Sequence, residues 1–129
     1  MKSLLLAFAL LAFQSVYADG MDNIKAHVYG IHLYFNEKEF VDVLTINADR
    51  KTGNMSVPND FEGKIENLTL LNSKISFDLL VPKNPGRPED MIFHYEGNFF
   101  DNDQRQLIGY VTIKGDTQFV ASFTGFLRE

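Results

Sequence analysis

Residues 91–127 alternate between apolar and polar side chains in three runs, and short polar turns separate the runs. An alternation of period two is typical of a β-strand that buries one face. Asn102-Asp103 and Gly115-Asp116, which lie between the runs, are common turn residues. The pattern predicts a three-stranded antiparallel meander whose inward positions are Met91, Phe93, Tyr95, Gly97 and Phe99, then Leu107, Gly109, Val111 and Ile113, then Phe119, Ala121, Phe123, Gly125 and Leu127.

The same pattern predicts five earlier strands, at residues 25–35, 39–48, 54–57, 61–71 and 74–81. Most of the links between strands are short enough for hairpins and too short for crossovers, which favours an up-and-down order. We predict an all-β fold, an eight-stranded antiparallel up-and-down barrel, with a two-sheet β-sandwich as the alternative. Glycines inside the strand patterns favour closure, because barrels need bends: Gly30, Gly63, Gly97, Gly109 and Gly125.

The N-terminus has the pattern of a secretory signal peptide: a positive start, an apolar run at residues 4–13, and Val16 and Ala18 before a cleavage site. The run is about half of the ~20 residues that a membrane-spanning helix needs, so we expect no membrane span in the mature chain. We predict a signal peptide at residues 1–18 and a single β-barrel domain at residues 19–129.

The chain has no cysteine, which excludes a disulfide framework and a cysteine nucleophile. An exported protein without disulfides suits a bacterial host, so we expect a periplasmic or secreted bacterial protein. The formal net charge of −5 at pH 7 argues against nucleic acid and anionic membranes as partners.

The strand count, the meander order and the in-strand glycines, as in Tyr95-Glu96-Gly97, resemble the calycin group of small barrels, which includes lipocalins, fatty-acid-binding proteins and avidin-like proteins. The resemblance is one of architecture and covers residues 19–129. It departs from the lipocalin pattern Gly-x-Trp, because Gly30-Ile31-His32 has a histidine there and the chain has no tryptophan. The resemblance implies a barrel fold, but no functional residue of those families can be assigned here.

No motif for a hydrolytic nucleophile, a phosphate-binding loop or a zinc-binding helix occurs in the chain. His94 and Glu96 share an outward face, which allows the start of a metal site, but the pattern favours a solvated outer face. Asp42 lies on an otherwise apolar face, and we interpret it as a carboxylate in water near the barrel rim, because unpaired burial is costly. We therefore predict no enzyme, no catalytic residue, no metal ligand and no cofactor.

Aromatic residues dominate the inward faces, and two interpretations remain open. They either pack as a core, since an eight-stranded barrel is just wide enough for side chains to fill, or they line a cavity for one small apolar or amphipathic ligand. Access to such a cavity would lie near the proline-rich loop at residues 82–90. The candidate ligand-binding residues are Phe77, Phe93, Tyr95, Phe119 and Phe123.

Several outward positions are apolar and predict a contact surface for a protein partner or a second copy of the chain. A scatter of isolated surface residues is the alternative. Outward charged residues such as Asp78 and Lys114 argue against a lipid-facing barrel. We predict an exported, non-enzymatic binding module, or alternatively a structural or protein-interaction module that uses an exposed apolar sheet face with Ile92, Ile108, Tyr110, Val120 and Phe126.

Overall fold

The computed structural model describes residues 25–128 of the chain. The predicted signal peptide at residues 1–18 lies outside the described residues. No helix within residues 25–128 is long and apolar enough to cross a membrane. The described chain forms eight strands: β1 His27–Phe35, β2 Lys38–Ile46, β3 Gly53–Val57, β4 Phe61–Leu71, β5 Lys74–Val81, β6 Met91–Phe99, β7 Gln106–Ile113 and β8 Asp116–Arg128.

The eight strands form a closed antiparallel barrel in up-and-down order. Each strand pairs with the next along the chain, and β8 returns to pair with β1, where Leu33 lies opposite Phe123. The predicted barrel is confirmed, and the two-sheet sandwich is excluded. Because every link is a hairpin, the β1–β2, β3–β4, β5–β6 and β7–β8 turns all lie at one end of the barrel.

The observed strand bounds agree closely with the alternation, and the largest difference is in β8. This strand begins at Asp116, three residues before the run that starts at Phe119, because a register shift after Thr112 brings Ile113 opposite Asp116. A second irregularity interrupts β4 between Glu66 and Thr69. Such bulges add an unpaired residue and bend the strand, and alternation alone does not locate them.

Aromatic rings occupy the middle of the barrel. Phe77 and Tyr95 stack with ring centroids 4.6 Å apart, and Phe123 meets Tyr95 edge-on at 5.5 Å. All three side chains are almost fully buried. The inward faces of residues 77, 95 and 123 therefore form a packed centre, as the core interpretation of the aromatic residues predicts.

Two glycines make this packing possible where β6 pairs with β7. Gly97 lies opposite Gly109, and a Cβ on Gly109 would stand 1.9 Å from the carbonyl oxygen of Glu96. A Cβ on Gly97 would stand 3.2 Å from the ring of Phe123. Gly97 and Gly109 thus permit a close approach of backbones and ring that a side chain at either position would obstruct.

Candidate functional site

A cavity of about 250 Å³ opens at the barrel end that carries the β1–β2, β3–β4, β5–β6 and β7–β8 turns. We call it the mouth cavity. Aromatic rings and aliphatic side chains form most of its wall, and four of the lining residues are ionisable, namely Asp42, Asp60, Arg87 and Tyr95. Its lining residues are Leu33, Phe35, Phe40, Asp42, Val57, Asp60, Phe61, Leu79, Val81, Arg87, Phe93, Tyr95 and Phe119.

The structure divides the five predicted ligand-binding residues into two groups. Phe93, Tyr95 and Phe119 line the mouth cavity. Phe77 and Phe123 lie behind them in the packed centre, where both contact the ring of Tyr95. A packed core and a cavity therefore coexist: the rings of Phe77, Tyr95 and Phe123 fill the middle of the barrel, and the mouth cavity lies at one end.

Sequence reasoning missed three aromatic residues of the mouth cavity, namely Phe35, Phe40 and Phe61. All three lie near strand ends that adjoin the turns of the open end. Phe35 packs on Phe119 with ring centroids 4.6 Å apart, and Phe119 in turn lies 5.9 Å from Phe93. The sequence did contain a signal for these residues. In an up-and-down barrel, inward residues next to the β1–β2, β3–β4, β5–β6 and β7–β8 turns must gather at one end.

Asp42 is the polar residue that reaches furthest into this apolar setting. Its side chain faces the mouth cavity with only 4% of the residue exposed, so the interpretation as a water-exposed rim carboxylate is wrong. Within residues 25–128, no donor hydrogen-bonds to its carboxylate. Burial, followed by the negative charge of Asp60, raises the pKa of Asp42 to about 6. An ionised carboxylate in such a position is poorly solvated.

Tyr95 lies close enough to Asp42 for the two groups to influence each other. Burial and, in second place, the charge of Asp42 raise the pKa of Tyr95 above its ordinary value. The phenol therefore stays neutral at any ordinary pH. Tyr95 thus brings an aromatic ring to the cavity without adding a charge.

Asp60, at the β3–β4 turn, also lines the mouth cavity but has a cationic partner. Arg87 donates two hydrogen bonds of 3.2 Å, one to each carboxylate oxygen of Asp60. These bonds, followed by one from the side chain of Asn84, lower the pKa of Asp60 although its partial burial opposes the change. The same guanidinium donates to the carbonyl oxygen of Pro82 at 2.6 and 2.9 Å. Arg87 is thus committed to Asp60 and to its own loop.

The loop at residues 82–90 was predicted to lie at the access to a cavity, and Arg87 brings it to the wall of the mouth cavity. Its backbone folds on itself, since Asn84 and Arg87 exchange two backbone hydrogen bonds of 2.9 Å. Lys83 donates its backbone N–H to Asp90 at 2.8 Å. The loop is therefore a bridged segment fastened to the β3–β4 turn.

A chain of polar contacts runs across the outer face of β5, β6 and β7. His94 contacts the carboxylate of Asp78 through Nδ1 at 2.6 Å and that of Glu96 through Nε2 at 2.9 Å. Tyr110 donates its hydroxyl to Glu96 at 2.6 Å. Asp78 is buried and also accepts hydrogen bonds from the side chains of Asn67 and Lys114. The outward orientation of residues 78, 94 and 96 was predicted, but their connection was not.

The titration of this chain follows from its contacts. Burial alone would lower the pKa of His94, but hydrogen bonds to Asp78 and Glu96 outweigh it and raise the pKa. Burial alone would raise the pKa of Asp78, and hydrogen bonds from His94, Asn67 and Lys114 lower it instead. We infer that His94 is an imidazolium that donates from both ring nitrogens. Within residues 25–128, no group of three potential ligands could hold a metal ion.

A second depression, of about 480 Å³, lies on the outside of β4 to β7 beside Gly97 and Gly109. Its polar groups include Glu96 and Tyr110, which already satisfy each other. None of its described lining residues is a buried polar group without a partner. The mouth cavity is the stronger candidate, because it combines an aromatic wall with the unpartnered Asp42.

Comparison of the chain with protein-family models, with curated proteins and with solved structures finds no match. The closed eight-stranded antiparallel barrel is consistent with a calycin-like architecture.

Proposed function

We propose that this chain is an exported, non-enzymatic binding module that holds one small, mainly apolar ligand in the mouth cavity. The observation that carries the proposal is the wall of the cavity, where the rings of Phe35, Phe61, Phe93 and Phe119 surround a space that the protein leaves unfilled. Interiors normally pack with few voids larger than a water molecule. A concave aromatic site with few polar groups is the usual form of a small-molecule site.

The volume restricts the ligand. A cavity of about 250 Å³ lies just under the ~300 Å³ lower end of ordinary ligand pockets, and a cavity of ~150 Å³ can hold benzene. The space fits one ring with a short side chain and excludes a long fatty acid. Eight-stranded barrels with a ligand in the interior are known among lipocalins and avidin-like proteins, and we propose that this barrel uses its open end in a similar way.

Filling the cavity tests the proposal. Val57, at the end of β3, lines the mouth cavity, and Val57→Trp would place an indole in it. The matched control is Val120→Trp on the outer face of β8, where Val120 is exposed. We expect the original protein and the control to bind an environment-sensitive apolar dye saturably with one site, and Val57→Trp to lose that binding.

The result is read together with the fold. Thermal unfolding and circular dichroism of both tryptophan variants report whether each remains a folded barrel. Equal saturable binding by a folded Val57→Trp variant would contradict the proposal, and so would the absence of saturable binding of any small aromatic probe to the original protein. Export is tested separately by the N-terminal sequence of the mature protein, which we expect to start at Asp19.

A second candidate function is a protein contact on the outer face of β7 and β8. The outward residues from Gln106 to Thr112 and from Val120 to Phe126 include no Asp, Glu, Lys or Arg. Four of the predicted contact residues are exposed there: Ile108, Tyr110, Val120 and Phe126. The fifth, Ile92, is exposed but lies apart, opposite Leu80 on β5.

Sedimentation velocity tests this surface. If two copies associate through it, the double variant Ile108→Ser and Phe126→Ser becomes monomeric. Leu80→Ser on β5, which is outside this surface, leaves the association unchanged. A monomer at all concentrations would remove self-association as the role of this surface.

A further inference from the structure

Asp42 is a buried acid that the described protein leaves without a partner. Only 4% of the residue is exposed, and it faces the mouth cavity. No donor within residues 25–128 forms a hydrogen bond with its carboxylate. Buried carboxylates are normally paired, because the energetic penalty of an unsatisfied one is large. Asp42 therefore has a structural reason to accept a donor from outside the chain.

We propose that the ligand of the mouth cavity is a small primary amine that carries one aromatic or apolar group, and that its ammonium group binds the carboxylate of Asp42. This inference rests on the proposed function and names its ligand class. An ammonium group supplies donors only, which matches a carboxylate that can only accept when it is ionised. The apolar group of the amine would occupy the aromatic part of the cavity.

The charges around the cavity favour a cation over an anion. Besides Asp42, the titratable and charged groups that line it are Asp60, Arg87 and Tyr95. Arg87 donates to Asp60 and to Pro82, so the net charge of that pair is zero, and at Asp42 the negative charge of Asp60 is the one that is felt. The remaining charge is that of Asp42. An anionic ligand would have to approach a like charge in a poorly solvated space, which is unfavourable.

The aromatic wall supports the same choice. A ring face carries a partial negative charge and attracts cations within about 6 Å of its centroid. Phe40 and Phe61 line the cavity together with Asp42, so a cation held there would lie among rings as well as beside a carboxylate. The combination of one acid with several aromatic rings is more specific for an amine than for a neutral ligand.

Three probes of matched size separate charge from shape. These are 2-phenylethylamine, the neutral 2-phenylethanol and the anionic phenylacetate, each with one phenyl ring and a short polar chain. Isothermal titration calorimetry at pH 7.5 measures each dissociation constant for the original protein. A charge-assisted hydrogen bond supports a preference of about tenfold to a hundredfold for the amine over the alcohol. We expect phenylacetate to bind more weakly than the alcohol.

Two variants assign the preference to Asp42. Asp42→Asn keeps the shape and removes the charge, and we expect it to bind the amine and the alcohol within about threefold of each other. The matched control is Glu62→Gln, which removes a carboxylate from an exposed position at the start of β4, at the same barrel end as the mouth cavity. This control should keep the amine preference of the original protein.

A pH series adds a readout that a purely structural role of Asp42 would not move. The amine stays protonated between pH 5 and 8, whereas Asp42 gains a proton toward the acidic end. The preference for amine over alcohol should therefore shrink by at least threefold from pH 7.5 to pH 5 and stay constant in Asp42→Asn.

The outcomes are distinguishable. Equal binding of amine and alcohol by the original protein, or an amine preference that persists in Asp42→Asn, would overturn the amine inference and leave the proposed function in place. No saturable binding of any of the three probes would overturn both. Loss of the preference in Asp42→Asn, with retention in Glu62→Gln and with alcohol binding intact, supports the inference.

Discussion

Arg87 donates a hydrogen bond to each carboxylate oxygen of Asp60, both at 3.2 Å. Asp42 lines the same cavity and receives none from the described residues. The two acids consequently titrate in opposite directions: the pKa of Asp60 is lowered, chiefly by its bonds with Arg87, and that of Asp42 is raised by burial and by the charge of Asp60. Two identical side chains at one barrel end thus differ in their capacity to bind a cation.

Asp42 should make the ligand-free barrel less stable as the pH rises. Its pKa is raised from 3.8 to about 6 in the fold, so the folded state holds the proton more tightly than the unfolded chain. Its contribution is greatest below pH 3.8 and is lost as the pH rises to about 6. The loss amounts to about 3 kcal/mol at most.

Asp42→Asn should remove this dependence. We expect the variant to exceed the original protein in free energy of unfolding by about 1–3 kcal/mol at pH 7.5 and to differ little at pH 4. Urea unfolding across this range measures the difference. If the variant is less stable than the original at pH 7.5, Asp42 is stabilised as an anion by a group that the described contacts do not include.

The imidazolium of His94 should stabilise the fold, because, unlike Asp42, it has charged partners in Asp78 and Glu96. The pKa of His94 is raised, because hydrogen bonds to Asp78 and Glu96 outweigh the effect of burial. Its stabilising contribution is fully present below the ordinary value of 6.5 and is lost as the pH rises through the raised folded value. The stability difference between the original protein and His94→Gln should therefore shrink toward alkaline pH, as measured by urea unfolding between pH 5.5 and 9.

His32→Gln is the matched control for that series. His32 has one carboxylate contact, with the exposed Glu39 at 3.3 Å, and surface pairs of this kind contribute little. We expect a change of less than ~0.5 kcal/mol in this variant. A pH-independent difference for His94→Gln would show that the ring acts by packing alone.

Gly109→Ala should strain the pairing of β6 with β7. The new Cβ would stand 1.9 Å from the Glu96 carbonyl oxygen and 2.6 Å from the Cα of Gly97, so the strands must separate. We expect a loss of about 3 kcal/mol in free energy of unfolding. Gly63→Ala is the control, because the nearest atoms to its Cβ lie at 3.7 Å, and a loss of the same size there would mean that strand propensity, not close approach, is responsible.

Two phenylalanines should separate stability from binding. Phe77→Leu removes a ring from the packed centre, where it stacks on Tyr95, and should reduce the free energy of unfolding by about 1–2 kcal/mol. Phe93→Leu alters the wall of the mouth cavity and should weaken probe binding more than Phe77→Leu does. Dye titration and urea unfolding of both variants measure the two effects, and a larger binding defect in Phe77→Leu would place the ligand deeper in the barrel.

The alternation of apolar and polar residues was enough to predict most of the strands. β4 Phe61–Leu71 and β5 Lys74–Val81 have the predicted bounds, because a period of two is forced by burial of one face. Short links fixed the neighbour order, and glycines such as Gly109 pointed to closure. The bulge after Glu66 was not predictable, because it depends on the register of two strands, which no single strand encodes.

The candidate site was predictable only in part. Phe93, Tyr95 and Phe119 were identified from their inward positions. Alternation alone does not separate them from Phe77 and Phe123, because height along the barrel follows only when the distance of each residue from its turn is combined with the up-and-down order. The burial of Asp42 was missed for a physical reason: sequence offers no partner for it, and an unpaired buried acid is disfavoured. The exception to that rule is the feature on which the amine inference depends.

The most direct test of ligand binding in the mouth cavity is an NMR titration of the protein with 2-phenylethylamine, followed by measurement of intermolecular nuclear Overhauser effects. We expect intermolecular nuclear Overhauser contacts from the phenyl ring to Phe93 and Phe119, with the largest amide shift changes around Asp42. Contacts confined to the outer face at Ile108 and Phe126, or no saturable shift changes at all, would contradict binding in this cavity.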